Sequence, residues 1–251
     1  MPVESPASVA SVAADAALQV YLLGSVDFDT ALALQRRLVF EVSGNRNSAA
    51  LILCEHPPLI TVGRHGSWAH ILCGSEERRA RRWSVRWVNR GGGCLLHLPG
   101  QLAIYPILAL DRLGLSLETY VQQLQNTLIA ILRNFTVAAA TKLGFSQVWA
   151  GSRPVAEIGV AVRDWVTYYG AALNINPDLE PFRRVRLTDG ESNGHMTSLE
   201  RERRGPVRTS LVREGLVEHF AAQFAFSRVS LFFDHPSLCR KAPADAVPAG
   251  S

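Results

Sequence analysis

The sequence predicts an α+β fold, a mixed and largely antiparallel sheet packed with helices, and three observations predict it. Apolar runs of strand length and apolar runs at helical spacing alternate without the regular strand–helix beat of a parallel α/β protein. Two long stretches, 27–44 and 116–134, carry apolar residues at helical spacing with polar residues between. A third, 154–176, reads as two strands with a turn near Arg163-Asp164.

Taken in order, "LQVYLLG" (18–24) reads as a strand. The helix over 27–44 has Asp27 or Asp29 available as a cap and Gly44 to end it. "AALILCEHPPLITVG" (49–63) gives two short apolar runs broken by Pro57 and Pro58. "WSVRWVN" (83–89) alternates like a strand, as does "LAIYPILAL" (102–110), where Pro106 argues for an edge or a bulge. Leu117, Tyr120, Val121, Leu124, Leu128, Ile131 and Leu132 mark the second helix, with Ser116 as its N-cap. "TSLVREGLVEHFAAQF" (209–224) reads as a final helix. The small polar start, 1–17, is expected as a disordered tail, 18–226 as one domain, and 227–251 as a C-terminal extension or tail.

The 251 residues are 47% hydrophobic and 19% charged, the balance of a globular protein with a sizeable interior. No apolar run reaches the roughly 18 residues of a membrane span. The start lacks the basic and apolar regions of a secretory signal, and the four cysteines, Cys54, Cys73, Cys94 and Cys239, show no CxxC pair or zinc pattern. Free thiols in a cytoplasmic protein are the simplest expectation, with no metal and no cofactor. The net charge of +4 is carried almost wholly by arginine, clustered at 78–82, 182–186 and 201–204. Such clusters read either as solvated surface or as a docking face for an acidic protein; no nucleic-acid motif accompanies them.

The chemistry concentrates in "NRGGGCLLHLPGQLAIYP" (89–106). Gly91, Gly92 and Gly93 follow a strand, as a phosphate loop would, but neither GxxxxGK[ST] nor GxGxxG is present and no helix follows. A turn whose backbone closely approaches a ligand fits better, and a purely structural turn is the plainer alternative.

"LILCEHPPLITVGR" (51–64), "RGGGCLLHLPGQLAIYPI" (90–107), "GVAVRDWVTYYGAALNINPDLEPF" (159–182) and "TSL" (197–199) occur in this order, and together they resemble the lipoyl/octanoyl protein transferase family, whose fold is shared with lipoate and biotin protein ligases. The strongest segment is Arg90-Gly91-Gly92, His97, Pro99-Gly100-Gln101 and Tyr105-Pro106, and the likeness covers roughly 18–225. It implies a biotin/lipoate protein ligase-like fold. It implies that Arg90, Gly91, Gly92, Gly93, Cys94, Leu95, Leu96 and His97 line a tunnel for an octanoyl or lipoyl chain. Glu157-Ile158-Gly159 and Gly170-Ala171-Ala172 are its other lining stretches. The implied partners are octanoyl-acyl carrier protein and lipoyl domains, both typically acidic.

The family's reaction uses a cysteine thiolate and a lysine. By resemblance the cysteine position falls on Thr188 or, matching Gly190 to the family glycine, on Asp189; no cysteine occurs between Cys94 and Cys239. The lysine position falls on Pro154, which has no side-chain proton to move; adjacent Arg153 is too basic for the task. Loss of this lysine also removes the obvious centre for ATP-dependent ligation. Two readings follow. One is an acyl, carrier or lipoyl-domain binder that keeps the pocket. The other is an acyltransferase with a relocated nucleophile: Cys94 with His97 or His195 as base, or Thr188 or Asp189 with His195. Cys94 also reads as a small, inert core residue, and Asp189 as a turn former.

Overall fold

The computed structural model describes residues 16–186, 195–236 and 238. Asp27 caps the first helix, α1 (Phe28–Gly44), its Oδ1 accepting from the Thr30 amide at 2.9 Å. Ser116 does the same for α3 (Leu117–Asn134). The short α2 (Ser75–Ala80) precedes β4, and α4 (Leu199–Arg203) and α5 (Thr209–Gln223) follow the last hairpin.

Eleven strands form two sheets among the described residues. The strands are β1 (Ala17–Ser25), β2 (Ser48–Glu55), β3 (Leu59–Val62), β4 (Ser84–Trp87), β5 (Cys94–His97), β6 (Gln101–Ile107), β7 (Ala140–Thr141), β8 (Val148–Ala150), β9 (Arg153–Arg163), β10 (Val166–Asn174) and β11 (Arg228–Phe232). The large sheet runs β11-β1-β2-β6-β10-β9-β8-β7 and the small one β4-β3-β5. Only β11–β1, β1–β2 and β3–β4 pair in parallel, so the expected mixed, largely antiparallel arrangement is observed. The β9–β10 turn is tight because Asp164 and Trp165 both take positive φ, 51° and 63°.

Alternation along the strands separates two buried faces. Leu51 and Leu53 of β2, Leu102 and Ile104 of β6, and Ala171 and Leu173 of β10 face α3 and α5 in one apolar core. Ile52, Cys54, Ala103 and Tyr105 face the other way, against Leu34, Leu38 and Val42 of α1. The small sheet covers the rest of that second face.

Pro106 corrects the expectation of an edge strand. β6 lies in the middle of the large sheet, between β2 and β10. It is tolerated because the β6–β10 ladder stops at Ile104↔Ala171 and resumes in the same register at Ala109↔Val166. Within that gap Thr167 Oγ1 donates to the Pro106 carbonyl (2.8 Å) and accepts from the Leu108 amide (3.0 Å). The Tyr169 amide, at φ 55°, donates to Gln35 Oε1 of α1 instead. The missing proline N–H therefore leaves no unpaired partner. At the other end the sheet continues past 226, since β11 pairs with β1.

Candidate acyl-binding site

The glycine-rich segment joins β4 to β5 and is stitched to protein backbone on both sides. Gly63, Arg64 and His65 amides donate to the carbonyls of Gly93, Arg90 and Gly92, and the Gly91 amide donates to Val160 of β9 (2.8 Å). Its close approaches are thus to other backbone: a Cβ on Gly63 would lie 2.4 Å from the Gly92 carbonyl oxygen, and one on Gly159 2.9 Å from that of Gly91. Of the three glycines only Gly92 takes a positive φ, 79°.

This stitching buries Arg90 beneath the loop. Its Nη1 donates to the Gly91 carbonyl (2.9 Å), and its Nη2 to both the carbonyl (3.0 Å) and Oγ1 (2.8 Å) of Thr61. Thr61 Oγ1 also meets His97 Nε2 at 3.2 Å. Thr61 Oγ1 accepts from Arg90 and donates to the Leu95 carbonyl (3.5 Å). His97 Nδ1 has no hydrogen-bond partner among the described residues. Burial, with His56 and Arg90 nearby, holds His97 well below the usual histidine range, so the ring is neutral. His56 is fixed in one tautomer: Nδ1 donates to the Val26 carbonyl (2.6 Å), so Nε2 accepts from the Tyr105 hydroxyl (2.8 Å).

Strand parity then decides which expected residues meet. Along β5, Leu95 and His97 border a cavity of about 20 Å³. Cys94 and Leu96 turn to the other face, among Ile71, Cys73, Trp83 and Met196. Cys94 therefore does not face the cavity as a relocated nucleophile needs; its Sγ donates to the Ser67 carbonyl (3.6 Å) and burial raises its pKa. Across β9 and β10 the pairs Glu157↔Ala172 and Gly159↔Gly170 share the cavity face. Ile158 and Ala171, cross-strand partners, put their side chains into the core under α3 and α5. Gly170 has no room for a side chain, since a Cβ would come within 2.1 Å of the Ile104 carbonyl oxygen.

The distant motifs converge through one hydrogen-bonded chain. Gln101 Nε2 donates to Asn174 Oδ1 (2.8 Å), Asn174 Nδ2 to the Thr197 carbonyl (3.0 Å), and the Thr197 amide to the Pro154 carbonyl (2.9 Å). His195 is exposed, two residues before Thr197. Thr188 and Asp189 lie outside the described residues. Lys142 lies too far upstream of Pro154 along the chain for a simple register slip, but its Nζ sits 3.6 Å from the ring centroid of Trp149, the cross-strand partner of Pro154. No signal along the chain reveals this, because it depends on β8–β9 register. Several expected docking arginines are paired to acids, Arg81 and Arg184 both to Glu77 and Glu180. Among the described residues no helix is long and apolar enough to cross a membrane.

Comparison with known proteins agrees with this architecture. The octanoyltransferase of Geotalea uraniireducens is 38% identical over 205 residues, covering 79% of this chain and 92% of the relative. That of Maridesulfovibrio salexigens is 30% identical, covering 83% and 97%. Among solved structures, lipoate-protein ligase A bound with ATP superposes with a TM-score of 0.72 at 14% identity, covering 88% of this chain and 90% of that one. The bipartite lipoate protein ligase of Thermoplasma acidophilum gives 0.64 at 15% identity, covering 86% and 88%. Residues 27–221 match the lipoyl protein ligase A/B catalytic domain, and the chain belongs to that family.

Proposed function

We propose that this family member works in lipoate metabolism by binding an octanoyl or lipoyl group and docking on acyl carrier protein or lipoyl domains, without the family's cysteine–lysine transfer. One observation carries the reading: no cysteine lies between Cys94 and Cys239, and by resemblance the family's lysine position falls on Pro154. Acyl transfer through a thioester needs a thiolate, and Cys94 is raised in pKa and turned from the cavity. The family's motif blocks still assemble around a buried Arg90. Four cysteines without a pairing pattern suit a reducing cytoplasm.

The high identity to octanoyltransferases favours a second reading, an active acyltransferase using Cys94 or the Thr188/Asp189 segment. Intact-protein mass spectrometry separates the two. The protein and a Cys94→Ser variant are incubated with octanoyl-acyl carrier protein and a lipoyl domain. The binder reading expects retained carrier or lipoyl-domain affinity and no octanoylated lipoyl domain. Transfer lost in the variant establishes Cys94; transfer unaffected by it points to Thr188 or Asp189.

A further inference from the structure

Two spaces in the molecule share one wall. The cavity of about 20 Å³ is bordered by Arg90, His97, Gly159 and Gly170, and also by Tyr169. A groove of about 580 Å³ is lined by Leu32, Arg36, Val39 and Trp87, and again by Tyr169, the one residue common to both linings. Burial raises the pKa of the Tyr169 phenol, while Arg36 on the groove side and Arg90 on the cavity side both oppose that rise. Strand alternation alone would send this ring elsewhere. Tyr169 pairs with Val160, whose side chain lies in the core under α3 and α5, as does that of Ala171 two residues on. Tyr169 instead packs with Phe28, Leu32, Leu59 and Ala161. Its φ of 55° breaks the alternation, and the bond from its amide to Gln35 Oε1 holds it there. Such a backbone is costly for a tyrosine and persists only where the surroundings impose it. The result is a buried ring, 3% exposed, standing between the cavity and the groove.

We infer that Tyr169 is a specificity-determining residue whose ring closes the acyl cavity at its groove end and so limits the length of the saturated chain the protein accepts. The inference rests on the acyl-binding reading above and narrows its substrate class to octanoyl-length chains. The cavity holds about one small group, so it receives the end of a chain and not its length. β9 sets the order along the site: Pro154 near its start, Gly159 at the cavity and Arg163 at the groove. By resemblance the family's lysine position falls on Pro154, which puts the carbonyl end of the chain at that end of β9. A chain running from there to the cavity meets the Tyr169 ring next. With the ring gone, further methylenes pass into the groove, against Leu32, Val39 and Trp87. With the ring in place, a longer chain displaces it from its packing or leaves the extra methylenes in water. Each buried methylene is worth about fourfold in affinity, so the wall reads out as increments that stop.

The test is isothermal titration calorimetry of the full chain with hexanoate, octanoate, decanoate and dodecanoate. Affinity should rise about tenfold from hexanoate to octanoate and no further from octanoate to dodecanoate. Tyr169→Gly removes the ring and suits the φ of 55°. It should bind dodecanoate at least about tenfold more tightly than octanoate. Tyr169→Phe, which keeps the ring, should keep the wild-type pattern; circular dichroism checks that both variants are folded, and Tyr169→Ala replaces the glycine variant if that one is not. Wild-type affinity that goes on rising past octanoate overturns the inference without any variant. A folded ring-less variant that gains nothing for dodecanoate, or that gains equally at every length, overturns it too, and both results leave the acyl-binding reading standing. A folded wild-type protein that binds none of the four carboxylates overturns both.

Discussion

The two faces of the large sheet are both buried, and they are filled in opposite ways. Under α3 and α5 the side chains are aliphatic and aromatic: Leu124, Leu128, Ile131 and Phe220 meet Leu53, Ile104 and Leu173. Under the small sheet and α1 lie Arg90, His56, His97, Tyr105 and Glu157, spaced by Gly159, Gly170 and Ala172. The first face derives its stability from apolar area. The second spends buried volume on hydrogen-bonded polar groups, whose net contribution to stability is small. The difference separates the face that holds the fold from the face that holds the site.

Four substitutions or conditions probe this division, in descending size of effect. Gly170→Val should prevent folding, because the added carbons meet the Ile104 backbone and the Pro106 ring; soluble expression and circular dichroism read this out. A folded Gly170→Val would mean the two strands can part there. Leu128→Ala, on the helix-covered face, should cost about 2–5 kcal/mol in urea unfolding and leave acyl affinity within about twofold. Equal loss of affinity would break the distinction between the faces.

The third is pH. The folded Glu157 carboxyl sits near 8, well above its unfolded value, so the folded state holds the proton more tightly. Its contribution is fully present below the unfolded value and is lost as pH rises toward and through about 8. Stability should fall across that window by at most about 1.4 kcal/mol per pH unit. Glu157→Gln should flatten this slope in urea melts taken from pH 5 to pH 8.5, about the span in which the group titrates. The smallest effect is expected at Arg37→Ala on the exposed side of α1, where the pair with Glu41 is largely solvated; about 0.5 kcal/mol or less should register in the same melts.

The long helices were legible in the sequence. Helical spacing located α1 and α3, and Asp27 and Ser116 are the caps it named. The short β7 and β8 offered no pattern long enough to read, and β11 is exposed along its whole length, without a buried face to impose alternation. The site was legible as motifs but not as faces. Whether Cys94 or Leu95 meets the cavity depends on parity along β5, and a shift of one residue would exchange them. Pro106 misled because proline signals an edge only where a neighbour needs its N–H, and here Thr167 and Gln35 remove that need.

The pairing of β1 with β11 sets an order of assembly. β1 lies between β2 and β11, so one of its edges finds a partner soon after synthesis and the other waits for nearly the whole chain. During translation that open edge is a template for any passing strand, and closing it late demands a contact of long sequence separation. Without Arg228–Phe232 that edge of β1 would have no strand beside it, so covering it depends on residues far from it in sequence.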